Sequence, residues 1–96
     1  MDLRTAKAEF FEPLEGDSFT VREQDISLQL IAITQLASSE TNPVRCPFSL
    51  TFKGRCRDVP TQGLYSLDHP TTGELEIFLV PVGMEEGDYL FEAVFN

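Results

Sequence analysis

The chain is short of basic residues, histidine and cysteine, and it holds no long apolar run. Only 7 Lys and Arg stand against 16 Asp and Glu, a formal net charge of −9. Such a field repels a phosphate backbone, so no nucleic-acid partner is expected. With one histidine, His69, material for general acid–base chemistry is scarce. Two cysteines, Cys46 and Cys56, are too few for the disulfide framework of a small secreted domain. Neither has a His or a second Cys at zinc-ligand spacing, so no metal site is expected. Free thiols are the expectation, with a bridge between neighbouring strands as the alternative. No apolar stretch nears the ~20 residues of a bilayer span, and Met1 to Arg4 lack the charged-then-apolar pattern of a signal peptide. A cytoplasmic protein without membrane association is expected. There is no Gly-rich phosphate loop, dinucleotide fingerprint or G-x-S-x-G, and hence no expected cofactor or nucleophile elbow.

What is present is a globular pattern. Hydrophobic residues make up 42% of the chain, with eight Phe, too apolar for disorder. A chain of 96 residues is expected to form one domain over residues 1–96. At this size folding buries roughly 60–65% of the unfolded surface, enough for one core and little more. The stretch 62–82 organises the rest: an apolar arm, a Pro/Gly turn, and a second apolar arm. Ile77-Phe78-Leu79-Val80 is apolar on both faces, which places that strand inside the core.

Taken in order, Leu3 to Phe11 alone has helix-like composition. Thr5 offers a cap, and Pro13 and Gly16 stop the helix. Residues 18–23 alternate, with Phe19 and Val21 on one side. Ile26 to Leu36 is a long strand. Its apolar face switches from Ile26, Leu28 and Leu30 to Ile31 and Ile33, which predicts a bulge near Leu30-Ile31. Ala37 to Pro43 is a polar loop. A strand with Phe48, Leu50 and Phe52 inward starts at Pro47 or lies on an edge. Cys56 to Pro60 is a short return strand or an irregular crossing. The hairpin arms follow around a turn at residues 68–73, and Pro81 ends regular pairing on one side of the second arm. After the tight connection 83–88, Tyr89 to Phe95 is the last strand. The sum is an all-β chain: a single small antiparallel barrel or sandwich of five to seven strands, with one short N-terminal helix.

Candidate sites are few. His69 adjoins Asp68, a pairing that invites catalysis, but no activated nucleophile accompanies it. The expected role is a turn residue whose ring packs on Pro70 or meets water. Glu74 and Glu76 share a strand face at roughly 7 Å, within the range for paired carboxylates, but are read as exposed strand residues for want of a sugar-sized cleft. The cluster Glu9, Glu12, Glu15 and Asp17 does not follow calcium-loop spacing and is read as a solvated face. Arg45, Arg55 and Arg57 gather basic charge around the third strand, against the sign of the whole. They pair internally or contact an anionic or acidic partner. Tyr65 and Tyr89 are the phenols best placed to show an aromatic edge. The candidate interaction surface is therefore Arg45, Arg55, Arg57, Tyr65 and His69.

The segments R-x-P-F-S-L-x-F (Arg45, Pro47 to Leu50, Phe52), Q-G-x-Y (Gln62, Gly63, Tyr65), F-L-V-P (Phe78 to Pro81) and E-A-V-F-N (Glu92 to Asn96) carry a resemblance. Upstream, F-x-P-L-x-G-x-x-F (Phe11, Pro13, Leu14, Gly16, Phe19) fits as well. Together they resemble a small bacterial family of domains of unknown function, about this length. The resemblance implies a single small domain with no assigned activity and no catalytic residues to carry over, in the setting of phage-tail-like genes. The expected function is a non-enzymatic structural or protein-interaction domain, an accessory part of a tail-like assembly, with a protein partner or self-association through sheet edges. The alternatives are a β-barrel binding a small ligand, which is not the favoured partner class, and an acidic inhibitor that mimics nucleic acid.

Overall fold

The structure, a computed structural model, describes residues 8–22, 24, 26–35 and 47–95. Six antiparallel strands close into a barrel in the order β1-β2-β3-β6-β5-β4. They are β1 (Ser18–Val21), β2 (Ile26–Gln35), β3 (Phe48–Gly54), β4 (Gly63–His69), β5 (Gly73–Glu85) and β6 (Asp88–Phe95). A short helix α1 (Ala8–Phe11) and a 3-10 turn (Glu12–Leu14) precede them. The all-β reading holds, and of barrel and sandwich the chain forms the barrel.

Period-two alternation explains each wall. Phe19 and Val21 of β1, Leu28 and Leu30 of β2, and Phe48, Leu50 and Phe52 of β3 are buried. So are Tyr65 and Leu67 of β4, Leu75, Ile77 and Leu79 of β5, and Phe91 and Ala93 of β6. Successive strand side chains point to opposite faces, so these rows converge on the barrel interior and fill it. Phe19 meets Phe52 edge-on at 5.6 Å, and Tyr65 meets Phe91 at 6.0 Å. Gly54, also buried, sits where β3 passes closest to β2. A Cβ there would lie 2.5 Å from the Ser27 carbonyl oxygen, so the crossing admits glycine alone.

The register of β2 against β3 shifts between Leu30 and Ala32, at the bulge expected there. The extra residue, Ile31, is thrown outward, and Ile33 resumes contact with the core. Pro47 immediately precedes β3, as a residue without an amide donor should. β5 is shared between neighbours. It pairs with β4 from Gly73 to Leu79 and with β6 from Val80 to Glu85, shifting register between Pro81 and Gly83. Cys56 to Pro60 is irregular and forms no strand.

α1 closes the end of the barrel where β3 begins and β6 finishes. Phe11 is fully buried, 6.0 Å from Phe48 and 5.5 Å from Phe95, and those two rings stack at 4.8 Å. Pro13 stands at the start of the 3-10 turn, where its missing donor costs nothing. Gly16, at φ +91°, turns the chain into β1, and its amide donates to the Leu30 carbonyl at 2.7 Å. The N-terminal part of the expected helix, with Leu3 and Thr5, and the expected loop over residues 37–43 lie outside the described residues.

One expectation fails. The run Ile77 to Val80 is not buried on both faces, because a closed barrel has a single interior. Ile77 and Leu79 point into it, while Phe78 is 51% exposed. Pro81 falls just past the last β4–β5 pair and at the register shift against β6, so regular pairing does end there on one side.

Candidate functional site

The outer wall of β4, β5 and β6 carries a row of exposed apolar side chains. Leu64 of β4 pairs directly with Phe78 of β5, and both face outward. Val80 pairs with Glu92 of β6. Val94 is also exposed, two residues beyond Glu92 on the same face of β6 and past the last β5–β6 pair. Leu64 is 66% exposed, Phe78 51% and Val94 51%. Val82, the residue at the β5 register shift, extends the row along the strand. Exposed single hydrophobes are ordinary, but Leu64 and Phe78 paired across two strands, with Val82 further along the second, form a patch of the kind that marks a contact surface. Glu76 lies beside Phe78 on the outer face of β5, and Glu92 flanks Val80. Neither pairs with a cation among the described residues.

His69 ends β4 on its inner side, 8% exposed. The Thr71 amide donates to Nδ1 at 3.0 Å. The ring proton therefore sits on Nε2, which donates to Asp17 Oδ2 at 2.9 Å. With its ring 4.9 Å from Phe19, His69 has no nitrogen left for a substrate. It fastens the β4–β5 turn to the segment before β1. The ring thus does not meet water, and its carboxylate partner is Asp17, not the adjacent Asp68 that invited a catalytic reading. Adjacent residues on a strand point to opposite faces, so Asp68 turns outward and pairs with Arg22 at 3.1 Å. Asp17 lies 52 positions from His69, and no local pattern announces it. Opposite-face geometry alone could have ruled out Asp68.

The tyrosines do not supply the expected aromatic edge. Tyr65 is 5% exposed and its hydroxyl donates to the Thr61 carbonyl. Tyr89 is half-buried against the core. Glu74 and Glu76 are exposed on the outside of β5, and Glu74 pairs with Arg22. Among the described residues no group of three or more His, Cys, Asp or Glu side chains converges to hold a metal ion.

Arg55 and Arg57 flank a hollow at the end of the barrel opposite α1. Its volume is about 540 Å³, and Gln24, Ile26, Cys56, Arg57 and Thr61 are among its walls. Arg55 donates to Asp88 at 3.3 Å, so one of the two guanidiniums is already engaged, on the surface and at small energetic value. Cys56 is a free thiol. Burial, and after it the Asp88 carboxylate, push that thiol above its ordinary pKa. It stays protonated near neutral pH and is a poor nucleophile there. Arg45 and Cys46 lie outside the described residues. Of the five expected surface residues, the structure thus leaves Arg55 and Arg57 exposed beside one hollow and buries Tyr65 and His69. The apolar row was missed because an unbroken apolar run was read as core on both faces.

The fold and its outer wall define a class: a small closed antiparallel β-barrel with an apolar stripe outside as well as an apolar core. The chain belongs to the family DUF6916, a domain of unknown function, which it matches over residues 6–95. No curated protein and no solved structure matches it. Among the described residues no helix is long and apolar enough to cross a membrane.

Proposed function

We propose that this barrel is a non-enzymatic protein-interaction domain, and that it docks a partner through the outer row Leu64, Phe78 and Val94. The observation behind the reading is the exposure of these three side chains, each above half, with Leu64 and Phe78 side by side on neighbouring strands. Leaving that surface in water sacrifices about 25 cal/mol per Å² that a partner would recover. A barrel interior filled by side chains, a histidine with both nitrogens engaged and a thiol held protonated favour docking over chemistry. An accessory place in a tail-like assembly, the setting implied by the family resemblance, is the context assigned to it. A photo-crosslinking residue at position 78, in the native host, tests the reading. A discrete protein adduct from position 78, with none from position 58 at the far hollow, is the expected result. No adduct, or the same adducts from both positions, would overturn it.

The hollow beside Arg57 favours a second reading, a small anionic ligand at the barrel mouth. Its openness to solvent and the prior engagement of Arg55 by Asp88 make it the weaker of the two.

A further inference from the structure

Resting on that docking reading, we infer that the partner binds as an added strand: an extended segment of another protein, basic beside Glu76 and apolar beside Phe78, pairs with a free edge of β5. The ladders leave that edge open. β5 has β4 beside it along Gly73–Leu79, but its pairs with β6 begin only at Val80. Past Glu92, the last β6 residue paired with β5, Ala93 to Phe95 pair with β3 alone. The two strands part there, and Gly73–Leu79 keeps a strand neighbour on one side only.

One hydrogen bond tells which main-chain groups face the opening. The Arg22 amide donates to the Ser66 carbonyl, so Ser66 of β4 directs its main-chain groups toward β1. In an antiparallel ladder the amide and carbonyl of one residue point to the same side, and those of the next residue to the other. Tyr65 and Leu67 then face β5, where they pair with Ile77 and Leu75. Glu74, Glu76 and Phe78 therefore turn their amides and carbonyls away from β4, into the opening. Among the described residues no loop or turn bonds to them. The same alternation lets Leu75, Ile77 and Leu79 stay buried beside an open edge, since their main-chain groups are taken by β4. β5 has a second unpaired edge, on the β4 side of Val80–Glu85, but that one is blunted. Pro81 brings no donor to it, and the register shift after Pro81 bends it. Gly73–Leu79 holds no proline and no lysine, and its register with β4 is unbroken.

Charge selects the occupant. Glu74, Glu76 and Phe78 stand exposed on the outer face along this edge. Arg22 engages Glu74, whereas Glu76 pairs with no cation among the described residues. A strand laid along the edge sets its alternate side chains opposite these three. Lys or Arg opposite Glu76, and an apolar residue opposite Phe78, match them. A second copy pairing about the middle of the stretch would set Glu76 against its own counterpart, between two molecules of net charge −9.

The probe is a synthetic peptide as long as the open stretch. Two Lys and one Phe at alternate positions face Glu74, Glu76 and Phe78, with Thr between them. One control carries N-methyl groups on the amides of those Lys and Phe residues, which removes the donors and keeps the side chains. The other carries Glu for Lys. In the chain alone, the Glu76 and Phe78 amides are expected to exchange fast, and the peptide to slow them. N-methylation weakens binding by about tenfold or more, and Glu for Lys by about tenfold. Glu76→Gln lowers the affinity several fold, whereas Asp58→Asn at the far hollow leaves it unchanged. Equal binding of the N-methylated peptide would overturn the added strand and leave the docking reading standing. Slow exchange at Glu76 and Phe78 in the chain alone would show the edge already filled, and failure of the unmodified peptide to bind would show it closed; either overturns the inference. So would an Asp58→Asn loss as large as that of Glu76→Gln, since the peptide would then answer to net charge alone. Loss of the position 78 crosslink would remove the docking reading itself.

Discussion

Within β5, Leu75, Ile77 and Leu79 point inward and are buried, whereas Phe78 and Val82, of the same chemical kind, keep about half their surface in water. The two rows share a backbone, a strand twist and a hydropathy. They differ in what lies across from them. The inner row faces Phe19, Phe52 and Phe91 from other walls. In the outer row Phe78 has Leu64 as its lateral partner and otherwise faces solvent. A closed barrel satisfies one row of each strand, and a second apolar row is then surplus to folding. Surplus apolar surface held on the outside is the sign of a use outside the fold.

That contrast predicts opposite consequences for neighbouring positions. Leu79→Ala removes buried methyl groups from a filled interior and should cost about 2–5 kcal/mol, much of the ~5–15 kcal/mol that a domain possesses. Phe78→Ala, one residue away, gives up only the cross-strand contact with Leu64 and should cost about 0.2–1 kcal/mol. Urea unfolding of both variants measures the ratio. Comparable losses would mean that both rows belong to the core, and the outer wall would lose its claim to function.

How much of this was legible beforehand follows from the range of each signal. Alternation at Phe19/Val21 and Phe48/Leu50/Phe52, and the face switch at Leu30-Ile31, are local, and they located strands and bulge correctly. Barrel closure is not local. It depends on the short β1 reaching β4 at Thr20–Asp68 and Val21–Leu67, pairs nearly fifty residues apart that no hydropathy pattern specifies. Without closure in view, Phe78 and Val80 looked like a second core face. The same limit hid Asp17. A histidine on the inner side of β4 needs a buried partner, but only the fold says that the segment before β1 supplies it.

A smaller effect tests whether the inner side ends at His69. His69→Ala leaves the Thr71 amide without its acceptor and opens space beside Phe19. A loss of about 1–3 kcal/mol is expected. Asp17→Asn keeps an acceptor oxygen within reach of Nε2, on a side chain still half in water, and should cost less than about 1.5 kcal/mol. Amide exchange at Thr71 separates the two, since only His69→Ala frees that hydrogen. If Asp17→Asn were the costlier change, the fastening would depend on charge and not on the ring's place in the wall.

The smallest expected effect lies at the far end of the outer row, in the β5–β6 turn. Glu86 and Gly87 take φ of 51° and 87° between strands that pair at Glu85 and Asp88. Two successive positive φ values in a two-residue hairpin loop define a type I′ turn, which favours Asn-Gly. Glu at the first position strains its Cβ against the carbonyl, at a cost of about 1 kcal/mol that Asn largely avoids. Glu86→Asn should therefore stabilise the barrel by about 0.5–1 kcal/mol, read as a rise in Tm of a few degrees. A lower Tm would mean that the Glu86 side chain contributes more to the turn than its left-handed backbone costs.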